Sequence, residues 1–106
     1  MVFQIGAALL DACVLAVLSE GDAYGYILTQ NIKEIVTVSD STLYPVLRRL
    51  EKGNLLESYS QPFEGRNRKY YRITQSGTTQ LEQYRIEWKT YAASIEKVLS
   101  GGLSHE

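Results

Sequence analysis

Apolar residues recur at Phe3, Ala7, Leu10, Val14, Val17 and Leu18, with Leu9 and Leu15 broadening the stripe. That three-to-four spacing predicts a helix over 2–19. Gly21 then stands where a left-handed C-terminal cap would fall. A helix with so few charges needs cover on more than one side. In a chain of 106 residues, part of that cover is expected from a partner subunit. Asp22 can cap a second helix over 24–35, with Ile27, Leu28 and Ile32 as its buried side. After the β-branched link Val36-Thr37-Val38, Ser39 or Asp40 caps a third helix, which Gly53-Asn54 ends. On a 100° wheel, Leu43, Val46, Leu47 and Leu50 share a narrow arc. Ser41, Pro45, Arg48 and Lys52 lie opposite; Thr42 and Arg49 flank one side, Tyr44 and Glu51 the other.

The pattern then changes period. Two strand-like runs, 55–61 and 68–74, flank the turn-rich stretch Pro62-Phe63-Glu64-Gly65-Arg66-Asn67 and predict a hairpin. Tyr71 and Ile73 alternate with Tyr70 and Arg72, so one side faces the core and the other faces outward. Ser76 opens a last helix running to about Ser100. Its apolar positions are Leu81, Tyr84, Trp88, Tyr91, Ile95 and Val98, spaced 3, 4, 3, 4 and 3 apart. This is a heptad seam, and a partner's helix is its simple cover. Gly101 and Gly102 stop the helix, and the tail to Glu106 is expected to fray.

Three short helices, a hairpin and a long helix make a mainly α chain with a small β-hairpin, of the winged helix-turn-helix type. Residues 1–75 form the winged domain, and residues 76–106 the dimerisation helix with its short tail.

Charge sharpens this picture. The net charge is only −1, so the chain is no general polyanion binder. Residues 39–72 nevertheless hold seven basic and four acidic groups, net +3, while the remainder is net −4. Segregation of this kind suits a local polyanion-binding face; solvation alone can also produce it. In a helix-turn-helix the second helix enters the major groove, N-terminal end first. Here that end offers Ser41, Thr42, Tyr44 and Pro45, which can approach base edges and thymine methyls. Arg48, Arg49 and Lys52 follow and suit phosphates or a guanine edge. Arg48 and Lys52 are like charges four apart, and Arg49 has no acidic neighbour three or four positions away. The bland alternative is a solvated face with Arg48 paired to Glu51. Pro45 removes an amide donor beyond the first turn and can bend the helix. Arg66, Arg68 and Lys69 place three cations at and after the hairpin tip, where they can follow the backbone or enter the minor groove. A basic turn that only keeps an edge strand soluble is the competing explanation.

Other chemistry is thinly represented. The single cysteine, Cys13, cannot form an internal disulfide and reads as core packing in a reducing cytosol. No basic residue precedes Lys33, so the apolar start lacks the n-region of a secretory signal, and no run approaches the ~20 apolar residues of a membrane span. A cytoplasmic protein without a membrane partner is expected. The only histidine is His105, and no phosphate loop, metal-ligand cluster or nucleophile–base pair is present. Neither an enzyme nor a cofactor or metal is expected.

Three stretches resemble the PadR-like family of bacterial transcriptional regulators: Asp22-Ala-Tyr-Gly-Tyr; Ser41-Thr-Leu-Tyr-Pro-Val-Leu-Arg-Arg-Leu-Glu-Lys; and Gly65-Arg-Asn-Arg-Lys-Tyr-Tyr-Arg-Ile-Thr followed by Gly77. The resemblance implies a homodimeric repressor whose third helix and wing meet double-stranded operator DNA and whose last helix makes the dimer. Asn67 stands where many members have proline, and Gly53-Asn54 replaces a more usual acidic residue and glycine. The single long C-terminal helix is similar to the short subgroup, in which some members sense drugs through a tryptophan on that helix. Trp88, fourteen residues after Thr74, matches that position. Its π-face can stack a small aromatic effector; the alternative is that it packs only as a seam residue. Residues 1–10 are expected to pack against the partner's last helix. A winged-helix module that binds an acidic protein is the competing function.

Overall fold

The computed structural model describes residues 6–102. Seven elements follow one another: α1 (Ala7–Ser19), β1 (Ala23–Tyr24), α2 (Gly25–Ile35), α3 (Asp40–Lys52), β2 (Leu56–Phe63), β3 (Arg66–Ile73) and α4 (Gln75–Leu99). The predicted start of α1 before Gly6, the packing of residues 1–5 and the tail from Leu103 lie outside the described residues.

One core joins these elements. Leu10, Val14, Leu15 and Leu18 of α1 meet Leu28 and Ile32 of α2, Leu43, Val46, Leu47 and Leu50 of α3, Leu56, Tyr71 and Leu81. The buried arc of α3 is the one its spacing predicts, because residues three and four apart share a helix face. α3 runs unbroken through Pro45. It ends on Asn54, not Gly53, in the left-handed region, with φ 65°. Leu55 N–H donates to Leu50 O at 2.9 Å and Asn54 N–H to Glu51 O at 3.0 Å, a Schellman closure.

Three details depart from expectation. Asp22 does not cap α2; Ala23 and Tyr24 instead pair with Tyr71 and Tyr70 as a third strand, giving the antiparallel order β1-β3-β2. A two-residue strand carries no periodicity to read. The wing's loop is also much shorter than the six-residue stretch predicted. Phe63 pairs with Arg66, and only Glu64 (φ 51°) and Gly65 (φ 80°) make the turn, the two positive values of a type I′ hairpin. Pro62 fits because β2 is an edge strand. Finally, Thr74, not Ser76, caps α4: its hydroxyl accepts from Gly77 N–H at 2.9 Å and donates to Asn54 O at 2.6 Å. Gly77 is required there, since a Cβ would collide with the Leu55 carbonyl oxygen.

Candidate functional site

The helix-turn-helix is α2, the link 36–39 and α3. Its exposed face carries Ser41, Thr42, Tyr44, Pro45, Arg48 and Lys52. Ser39 Oγ lies 2.9 Å from Ser41 Oγ and 3.2 Å from Thr42 Oγ1, so the hydroxyls at the start of α3 form one cluster. Lys33 binds Asp40 at 2.6 Å and ties α2 to that start. Glu51 does not pair with Arg48. It accepts from Ser58 Oγ at 2.6 Å and lies 3.6 Å from Lys69 Nζ, so it joins α3 to the wing's two strands.

The six cations proposed for DNA therefore divide. Among the described residues, Arg48, Lys52 and Arg66 are exposed and form no salt bridge. The other three face partners within the chain. Lys69 is the one beside Glu51. Arg68 Cζ lies 3.9 Å from the Phe63 ring centroid and 4.4 Å from that of Tyr24. Arg49 donates from both terminal nitrogens to Asp11, at 2.8 and 2.7 Å.

Asp11 is a neighbour of α3 that the local sequence pattern does not reveal. It is 5% exposed, in the middle of an apolar helix. A buried carboxylate needs a paired, hydrogen-bonded partner, and Arg49 supplies a fork that matches both oxygens. The hydrogen bond to Asp11 pushes the Arg49 pKa further up. Tyr84 Oη donates to the same carboxylate at 3.4 Å. Burial first, then the Asp11 charge, raise the Tyr84 hydroxyl's pKa, so it remains a donor. One carboxylate on α1 thus meets α3 and α4 together. The signal was a lone Asp inside an apolar stripe and an arginine without a helical partner, 38 positions apart.

The heptad seam also divides. Leu81 is 2% exposed and already belongs to the core of the chain itself, with almost no surface left to offer. Tyr84 packs against that core. Beyond it Trp88 (47% exposed), Tyr91, Ile95 and Val98 are exposed, as are Ile86 and Leu99. Between α1 and α4 lies an open groove of about 420 Å³, lined by Gly6, Ala8, Leu9 and Ala12 on one side and Tyr84, Glu87, Trp88 and Tyr91 on the other. The Trp88 and Tyr91 rings are 6.3 Å apart and tilted by 47°. Burial raises the Cys13 thiol's pKa, in keeping with a packing role.

An exposed second helix beside a cationic two-stranded wing defines the winged helix-turn-helix class, here with a long C-terminal helix. The chain belongs to the PadR-like family of transcriptional regulators; the model described as "Transcriptional regulator PadR-like family" matches residues 14–83. It is 35% identical over 88 residues to the transcriptional regulator Rv3488 of Mycobacterium tuberculosis, covering 82% of this chain and 78% of that one. Among solved structures, smu.1704 from Streptococcus mutans superposes with TM-score 0.89 at 40% identity, covering 100% of both chains. The PadR-like transcriptional regulator BC4206 from Bacillus cereus gives TM-score 0.77 at 32% identity, covering 86% of this chain and 91% of that one. Family membership makes the protein a transcriptional regulator and not an enzyme. No helix among the described residues is long and apolar enough to cross a membrane.

Proposed function

We propose that the protein is a cytoplasmic repressor that binds palindromic operator DNA as a homodimer, through α3 and the wing. The observation that carries this is the placement of the unpaired cations: Arg48 and Lys52 on the outer face of α3, and Arg66 at the wing tip. Ser41, Thr42, Tyr44 and Pro45 sit at the end of α3 that enters a major groove and would read bases. Arg48, Lys52 and Arg66 would hold phosphates. Arg49, with its fork on Asp11, would set the angle of α3. The second copy would cover Trp88, Tyr91, Ile95 and Val98, which the chain itself leaves exposed. Two α3 helices would then meet half-sites about 34–36 Å apart.

Selection of a duplex from a randomised pool, followed by binding measured across salt concentrations, tests the reading. A palindromic consensus and a steep loss of affinity with salt are expected. Arg48→Ala combined with Arg66→Ala should abolish binding and leave the dimer intact. Undiminished affinity in that variant would remove these residues from the interface. Tight binding to an acidic protein with no duplex preference would favour the interaction-module alternative.

The α1–α4 groove supports an effector site at Trp88. Its aromatic wall suits a flat ring, and Glu87 puts a carboxylate in the lining, which favours a cationic aromatic compound over a phenolic acid. Titrating both classes against Trp88 fluorescence decides between them. Absence of quenching and of operator release with every compound would leave Trp88 as packing.

A further inference from the structure

We propose that Arg68 is a positioning residue of the wing and not a nucleic-acid contact: it is the first rung of a ladder of rings and guanidinium groups along the outer face of the sheet. The inference rests on the DNA-binding reading above. Tyr71 of β3 is buried and Ile73 packs on the core, so Arg68, Tyr70 and Arg72 lie on the opposite face. Across β2 the register sets Tyr59 against Tyr70 and Glu57 against Arg72, and across β1 it sets Tyr24 against Tyr70.

These residues touch in sequence along the sheet. Arg68 lies between the Phe63 and Tyr24 rings, at 3.9 and 4.4 Å. Tyr24 meets Tyr70 at 5.8 Å between centroids, and Tyr70 stacks on Tyr59 at 5.6 Å with 14° between planes. Arg72 closes the row, 4.9 Å from the Tyr59 ring and 2.8 Å from Glu57. The Tyr59 hydroxyl donates to Asp22 at 2.8 Å. The ladder thus spans all three strands, from beside the wing's turn to its root.

A guanidinium within about 6 Å of a ring face is attracted to it, and Arg68 has two such faces. It forms no salt bridge among the described residues. Its planar group can lie flat on the rings, as an ammonium cannot. The other support of the wing's end is the strand pairing up to Phe63 and Arg66. Clamping Phe63 to Tyr24 therefore holds the end of the hairpin where Arg66 is presented. Loss of the clamp costs pre-organisation, not a phosphate contact.

The test compares Arg66→Ala, Arg68→Ala, Arg68→Lys and Phe63→Leu in the full chain. Affinity for a duplex selected by the wild-type protein is measured against salt, and amide exchange at the wing's turn is measured without DNA. Arg66→Ala should lower the slope of log affinity on log salt by about 0.9, the loss of one phosphate contact. Arg68→Ala should weaken binding by about three- to tenfold at every salt concentration with the slope unchanged, and should speed exchange at Glu64 and Gly65. Phe63→Leu and Arg68→Lys should behave alike. A reduced slope or unchanged affinity in Arg68→Ala overturns the proposal, as does full function in Arg68→Lys. Should the wild-type protein select no duplex, the DNA reading fails, and unchanged exchange in Arg68→Ala then overturns the ladder separately.

Discussion

The two halves of α4 share one heptad spacing and meet opposite fates. Up to Tyr84 the helix lies on the rest of the chain: Leu81 is buried and Tyr84 reaches Asp11. From Trp88 onward the same seam is exposed, with Tyr91 at 61% and Val98 at 52%. The cause is on α1. Its inner face carries Leu10, Val14, Leu15 and Leu18, which fill the core. Where it faces Trp88 and Tyr91 it offers Gly6, Ala8, Leu9 and Ala12, three small residues of four, and the groove stays open. Periodicity shows that a face is apolar; side-chain size on the opposing helix decides whether the same chain covers it.

The largest expected effect is in the inner half. Leu81→Ala removes a fully buried side chain and should cost about 3 kcal/mol of unfolding free energy, measured in urea. Trp88→Ala should leave the subunit's own packing almost untouched. Equal losses in the two variants, measured at a fixed protein concentration below dimer formation, would mean that the halves do not differ as described.

Next comes the joint between α1, α4 and α3. Arg49→Met leaves the Asp11 carboxylate without its fork; because the guanidinium is half exposed and water can replace part of it, the cost should be about 2–3 kcal/mol, the low end for a broken buried pair. The double change Asp11→Leu with Arg49→Met should recover most of that loss, because two apolar groups can replace a buried pair. A double variant no more stable than Arg49→Met would show that packing, not an orphaned charge, sets the cost. Either way α3 loses its tether to α1, so operator affinity should fall further than stability recovers.

The outer half is sharpened by Ile95→Asp. A carboxylate in the proposed apolar interface should raise the dimer dissociation constant by about 100-fold, or ~2.7 kcal/mol, in sedimentation equilibrium. The helical circular dichroism of the monomer should persist. An unchanged dissociation constant would place the second copy elsewhere.

Much of this was legible before any coordinates. The arc of α3 and the wing's existence follow from spacings of three, four and two, and the ends of α3 and α4 follow from Gly53-Asn54 and Gly101-Gly102. What escaped was set by distance in the chain or by extreme brevity. Ala23–Tyr24 is too short to show a period and becomes a strand only because Tyr70 and Tyr71 lie alongside. Glu64 in a left-handed turn is not a residue that announces type I′ geometry. Arg48 and Arg49 are neighbours of the same type and both exposed, yet only Arg49 has a partner, Asp11. Which arginine is paired depends on a carboxylate 38 positions away, which no local pattern encodes.

The smallest effect lies where the two halves of α4 join. Tyr84→Phe removes one donor from Asp11 and leaves both arginine contacts in place. The hydrogen bond is long, 3.4 Å, so the loss should stay near 0.5 kcal/mol, the low end for a single bond. The same ring also lines the groove beside Trp88 and Glu87. If a ligand in that groove acts on α3, its shortest route runs through Tyr84 and Asp11 to Arg49. Tyr84→Phe should then keep operator affinity within about twofold and bind the ligand with Trp88 quenching intact, while release of DNA weakens. Normal release in this variant would take Asp11 out of the route.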